Sequence, residues 1–338
     1  MRTTQTGLSR RDLLTAIIAS GASGVAVSAR SAAATARDLE TTRIRLPSSP
    51  GICIAPQWVA EDLLRAEGFT DIQYVKVKPY DIEDAIGGGD ADISMTYGLR
   101  WVYRLDSGLP ITVLAGIHTG CNELFVTERV RSLSDLRGKT LAVGALGGVQ
   151  HHLVAIVLKQ IGLDWQKDVK VEVHPSADAI RLLGEGKIDA LLTLPPEPQE
   201  LRARKIGHSV VNSSVDRPWS QYFCCVATAN WEFVRRSPVA AKRALRAMLI
   251  ANSICALEPD RVARHLVDNG FTKRYDYAFQ TLKDIPYSRW RDFHPEDTVR
   301  FYALRLHEAG MIKVNPNKLI AQGTDWRFLN ELKKELKG

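Results

Sequence analysis

Val75-Lys76-Val77-Lys78-Pro79 through Gly89-Asp90-Ala91-Asp92-Ile93, and Val171-Glu172-Val173-His174-Pro175 through Gly186-Lys187-Ile188-Asp189-Ala190, repeat one order of residue types nearly a hundred positions apart. In each copy an alternating apolar segment predicts a strand, and a proline ends it by removing a backbone donor. A short helical run follows, carrying Ala85-Ile86 in the first copy and Leu182-Leu183 in the second. A Gly-x-x-Asp turn then returns the chain to an apolar strand, the glycine leaving the helix at positive φ. This is a β-α-β unit used twice, and it predicts an α/β chain of two Rossmann-like lobes. In such a design function lies between the lobes.

The 338 residues, 45% of them hydrophobic, exceed what one core usually organises. Ser9-Arg10-Arg11-Asp12-Leu13-Leu14-Thr15, the mildly apolar run Ala16 to Val27, and Ala32-Ala33-Ala34-Thr35-Ala36 follow the order of a twin-arginine export signal. Cleavage is expected after Ala36, with a periplasmic product; an uncleaved leader is the alternative, although Gly21 and Gly24 break the apolar run. Removing residues 1 to 36 takes away four arginines and one aspartate, so the net charge falls from +7 to +4. No Lys/Arg run interleaved with aromatics marks a nucleic-acid groove. Cys53, Cys121, Cys224, Cys225 and Cys255 form neither a CxxC pair nor a regular framework, so no metal site is read from them. A twin-arginine substrate is normally exported folded, so buried free thiols and a single disulfide both remain open.

Further elements follow from pattern. Strands are expected at Thr42 to Leu46, Ile111 to Ile117, Glu123 to Thr127, Leu141 to Val143 and Phe223 to Ala227, and helices at Pro56 to Gly68, Val149 to Ile161 and Pro238 to Leu257. Ser132 to Lys139 reads as a capped helical turn with a glycine exit. The mostly helical remainder is expected to pack on the first lobe. The predicted division is a signal at 1–36, a discontinuous first lobe at 41–125 and 227–338, and a second lobe at 126–226, joined by two hinge crossings.

Over about residues 41 to 335 this order resembles the nitrate/sulfonate/taurine class of solute-binding proteins of ABC importers. The resemblance rests on Leu133-Ser134-Asp135-Leu136-Arg137-Gly138-Lys139-Thr140-Leu141-Ala142-Val143-Gly144, the glycine-rich turn after it, Gly184-Glu185-Gly186-Lys187-Ile188-Asp189-Ala190, and Pro195-Pro196-Glu197-Pro198. It implies the type II periplasmic-binding fold, no enzymatic activity and no cofactor. It further implies a monomer that captures a small anionic or amphipathic solute and passes it to an inner-membrane ABC permease with its ATPase. Members of the wider group bind nitrate, sulfonates, bicarbonate, carboxylates or thiamine precursors, and some relatives are pyrimidine synthases. Cys224-Cys225 is only a fragment of the cysteine cluster such a synthase carries. A solute sensor of the same fold is a further alternative. The run Leu64-Arg65-Ala66-Glu67-Gly68-Phe69 is shorter than its counterpart in such proteins.

Ligands of open α/β sheets sit at the carboxyl ends of strands, so the loops there supply the candidates. Gly147, Gly148, Val149 and Gln150 stand at a helix start, where free N–H groups and the helix dipole favour an anion; they also suit a plain sharp turn. His151 adds a side-chain donor. In the first lobe Ser48, beside Ser49, offers a hydroxyl or simply makes a bend. Gln57 and Trp58 add an amide and an aromatic wall. Thr96 and Tyr97 occupy the same topological place as Leu194 and Pro195 in the second lobe. His118 and Thr119 precede the first crossing and Trp219 the second, and both loops are expected to face the cleft. Arg217 is the arginine these loops present for clamping a carboxylate or sulfonate, and surface exposure is its alternative.

Overall fold

The structure, a computed structural model, describes residues 39–48, 51–78 and 81–336. The expected export signal at 1–36, Ser49 and Pro79 lie outside them. The first lobe opens with parallel strands β1 (Arg43–Ser48) and β2 (Asp71–Lys76), in register from Arg43 opposite Asp71 to Ser48 opposite Lys76. Next come β3 (Ile93–Tyr97) and β4 (Ile111–Thr119), and the chain then leaves for the second lobe. There β5 (Glu123–Val126), β6 (Thr140–Val143), β7 (Lys170–Val173), β8 (Ala190–Thr193) and β9 (His208–Asn212) form one sheet in the order β7-β6-β8-β5-β9. The chain returns in β10 (Phe223–Asn230), which runs antiparallel between β3 and β4. The Asp92 N–H donates to the Arg45 carbonyl at 2.9 Å and sets β1 beside β3.

Both lobes therefore share one plan. In each, a parallel pair lies beside a third strand, and an antiparallel strand sits between that third strand and the last. The repeated sequence unit is β2, helix Ile82–Gly87 and β3 in the first lobe, and β7, helix Ser176–Gly184 and β8 in the second. The strand just past each crossing, β5 or β10, takes the inner antiparallel position. The expected boundaries at 125/126 and 226/227 fall within these two strands.

Most predicted elements appear with shifted ends. The helix expected from Pro56 to Gly68 is two, Ala55–Val59 and Glu61–Ala66, meeting at Ala60. The Ser132 turn is a short 3₁₀ segment, Leu133–Leu136, closed by a Ser132/Asp135 capping box. Helix Pro238–Leu257 has the predicted bounds. The carboxy-terminal helices pack on the first lobe and also reach the second: Arg202 bonds Glu123 at 2.6 Å and Asp284 at 2.9 Å, and Gln199 donates to Asp284 at 3.0 Å. Among the described residues no helix is long and apolar enough to cross a membrane.

The two crossings lie against each other. The Ser213 hydroxyl accepts the N–H groups of Cys121 (3.0 Å) and Asn122 (2.8 Å) and donates to the Asn122 carbonyl at 2.8 Å. Gly120 has φ of 54°, and a Cβ there would stand 2.3 Å from Ser214 Cα and 2.4 Å from the Ser213 carbonyl oxygen. Both are backbone atoms, so the clash has no cheap relief. Gly120→Ala is expected to cost at least about 2 kcal/mol in urea denaturation. Gly108→Ala, at φ 85° with open space around its Cβ, serves as the comparison and should lose only the left-handed penalty of about 1–2 kcal/mol.

Candidate functional site

Thr96 and Tyr97 end β3, and Leu194 and Pro195 follow β8. All four line one cavity of about 310 Å³ between the lobes, with Gly51, Cys53, Ile54, Ile82, Glu83, Met95, Arg100, Ser176 and Glu197. Its walls come from the carboxyl ends of equivalent strands in the two lobes, where α/β sheets hold ligands. A larger depression of about 550 Å³, lined by Arg43, Arg45, Asp92 and Trp231, lies at the amino ends of β1 and β3 and belongs to the first lobe alone. Position and two-lobe lining make the smaller cavity the candidate site.

The cavity wall is mainly apolar, with its polar groups already engaged. The Thr96 and Thr228 hydroxyls meet at 2.8 Å, and the Tyr97 hydroxyl lies 3.4 Å from Cys53 Sγ. Burial holds the Tyr97 phenol well above its ordinary pKa, so it is a neutral hydroxyl. Arg100, in the first turn of helix Gly98–Asp106, lies 3.4 Å from Glu83 and donates to the Gly147 carbonyl of the other lobe. Burial raises the Glu83 carboxyl against the pull of Arg100. Glu197 is also raised by burial, although it accepts the Leu194 N–H at 2.9 Å. Arg100 thus pairs with the buried Glu83, and the half-buried Glu197 lines the same cavity.

Thr96, Tyr97 and Pro195 are brought together at this cavity, and the other predicted residues lie elsewhere. Gln57 is fully buried beneath it, donating to the Pro47 carbonyl at 2.8 Å and accepting from the Ser94 hydroxyl at 2.7 Å. Trp58 stacks on Phe271 at 4.2 Å. Ser48 closes β1, where its carbonyl accepts the Val77 N–H. His118 is fully buried against Tyr287, its Nδ1 near the carbonyls of Thr119 and Gly120, and Thr119 is fully buried beside it. Trp219 packs edge-on against Phe301.

The glycine turn also has structural occupants. Gly148 caps helix Val149–Gln160, whose first residue Val149 is buried. Gln150 accepts the Gly144 N–H at 2.9 Å and donates to the Leu192 carbonyl at 3.0 Å, joining the ends of β6 and β8. His151 Nδ1 accepts the Gly147 N–H at 3.0 Å, so a donor proposed for an anion is taken by a side chain. Arg217 is exposed.

Glu83, Arg100, Ser176 and Glu197 lie one step beyond the strand-end loops that supply the sequence candidates. Each sits in the first turn or two of a helix that follows a strand. Arg100 is three positions after Tyr97, a spacing that brings it back toward the same strand end on a helix. Glu197 belongs to the Pro195-Pro196-Glu197-Pro198 turn.

Behind Arg100, His152 is fully buried with Tyr103 at 4.2 Å, and neither ring nitrogen has a hydrogen-bond partner among the described residues. Burial, reinforced by His151 and Arg100, lowers its pKa to about 3. The unfolded chain binds a proton at this residue near its ordinary value of 6.5, while the folded chain does not until about 3. Stability is therefore expected to fall as pH drops below 6.5. His152→Phe, keeping the ring contact, should remove about 2 kcal/mol of the loss between pH 6.5 and 5, read from urea midpoints at each pH.

No curated protein matches the sequence. Residues 80–267 match the family described as NMT1-like. The periplasmic nitrate-binding protein NrtA from Synechocystis PCC 6803 superposes with a TM-score of 0.74 at 14% identity, covering 88% of this chain and 90% of that one. The periplasmic aliphatic sulphonate-binding protein SsuA from Escherichia coli gives 0.69 at 15% identity, over 83% and 92%. A Candida albicans protein of the generic periplasmic binding protein fold gives 0.66 at 13% identity, over 84% and 96%. The nitrate and sulphonate proteins are named as binding proteins, not enzymes, and the shared two-lobed architecture is the periplasmic-binding fold. With more than half of its length matched, the chain belongs to the NMT1-like family.

Proposed function

We propose that this protein is the exported solute-binding component of an ABC importer. It captures a small organic molecule between its lobes and presents the closed form to a permease and its ATPase. One observation carries the reading: the cavity is walled by equivalent strand ends from both lobes, so an occupant bridges them. A ligand that contacts both walls binds the closed form more tightly than the open one, and that difference drives closure. The nitrate and sulphonate specificities of the two bacterial structural neighbours motivate importer function but do not transfer to this cavity.

The lining favours an amphipathic occupant with hydrogen-bond donors over a strong anion. Arg100 is already opposed by Glu83, and Glu197 faces the same space, so a sulfonate or nitrate would meet a carboxyl group without a free cation. The apolar residues Ile54, Ile82, Met95 and Leu194 suit a compact hydrophobic body, and the volume is at the small end for ligand sites. Within this reading the lobes divide inside the crossings, near 119–123 and 212–223, and the leader cleaved after Ala36 directs export.

The test is a thermal-shift screen of the chain beginning at residue 37 against amines, amides and aminopyrimidines, with nitrate, sulfonates and carboxylates as contrast. A ligand at a hundredfold over its dissociation constant should add about 2.7 kcal/mol. Tyr97→Ala, which opens one wall, should abolish the response to any compound that gives one. Leu257→Ser, at an exposed helix end outside the cavity lining, should leave it intact. Silence from every compound overturns the solute-binding reading, and a response to anions alone overturns the donor preference.

A further inference from the structure

Four of the five cysteines meet where the chain passes between the lobes. Cys121 is on the outgoing crossing and Cys224 at the start of the returning strand, and their sulfurs lie 2.7 Å apart. That is inside the contact distance of two unbonded sulfur atoms, and both are free thiols in the structure. Cys225 and Cys53 complete the group, and Cys53 forms part of the cavity wall. Among the described residues no three of His, Cys, Asp or Glu are arranged to hold a metal ion.

The backbone aims this pair. Along β10 the register joins Phe223 to Thr119 and Cys225 to His118, leaving Cys224 as the extra residue of a bulge. A bulge re-aims the side chain it carries. Without it, adjacent cysteines on a strand would point to opposite faces; with it, Cys224 turns toward Cys121 and Asn122, whose Oδ1 accepts its S–H at 3.3 Å.

We propose that Cys121 and Cys224 are a disulfide-forming pair whose oxidation by a peroxide staples the two crossings of the hinge. The Cys224 sulfur attacks one peroxide oxygen, the O–O bond breaks, and the departing hydroxide takes up a proton as water. The Cys121 sulfur then displaces the second oxygen from the Cys224 sulfenic acid, which leaves as water with the Cys121 proton. Two thiols and one peroxide give one disulfide and two waters. Burial opposes ionisation of Cys224, while S–H donation from Cys121 and Cys225 lowers its pKa and favours its thiolate, so Cys224 is taken as the attacking sulfur. Cys255 lies apart from the cluster, buried and raised by that burial, and is the inert reference.

The experiment treats the folded chain with hydrogen peroxide or with a reductant, then denatures it in an alkylating reagent and maps the peptides by mass spectrometry. All five cysteines should be alkylated in the reduced sample and three in the oxidised one, with Cys121 and Cys224 in one cross-linked peptide. Cys255→Ser should keep the cross-link, and Cys121→Ser and Cys224→Ser should each lose it. Amide exchange at Asn122 and Ser213 should slow at least about tenfold in the oxidised protein. Five alkylated cysteines after peroxide, or a cross-link through Cys53 or Cys225, overturns the pairing. Unchanged exchange with the cross-link present overturns the staple. The wild-type map decides the pairing even where a serine variant fails to fold.

Discussion

The Ser213 hydroxyl, shared between two N–H groups and one carbonyl of the opposite crossing, is the contact on which the rest of the arrangement depends. The chain passes from one sheet to the other twice, and each passage exposes peptide groups that no strand pairs. Ser213 supplies partners for three of them at one point. Gly120 lets the segments come close enough for that, because any side chain there would strike the Ser213–Ser214 backbone. Once the crossings are held together, the strand just past each one enters the middle of its sheet. The carboxyl ends of β3 and β8 then face each other across a narrow cleft.

The electrostatics of that cleft follow from its depth. Arg100 reaches from Glu83 in its own lobe to the Gly147 carbonyl in the other, so the positive charge is spent on holding the walls. Glu83 and Glu197 are pushed toward their neutral forms by burial. The helix start at Gly148, attractive as an anion site in outline, has its nearest donor capped by His151.

Much of the architecture was legible because period and punctuation are local. The twofold β-α-β unit, the Ser132 capping box and helix Pro238–Leu257 each rest on residues a few positions apart, and each is present. The equivalence of Thr96-Tyr97 with Leu194-Pro195 was legible for the same reason, since a repeated unit puts its ends in repeated places. Gln57, Gln150 and His151 have the right chemistry, but their hydrogen bonds close onto the chain's own backbone.

Sequence by itself determined two α/β lobes, the order of their strands along the chain and the resemblance to solute-binding proteins. These depend on alternation, prolines and glycines whose effects act over a few residues. Tertiary structure alone decided which side chains face the cavity and which are consumed by packing, that Arg100 is paired, and that Cys121 lies against Cys224. Those outcomes turn on contacts between segments a hundred or more residues apart, such as Cys121 with Cys224 and Trp58 with Phe271, which leave no periodic mark in the chain.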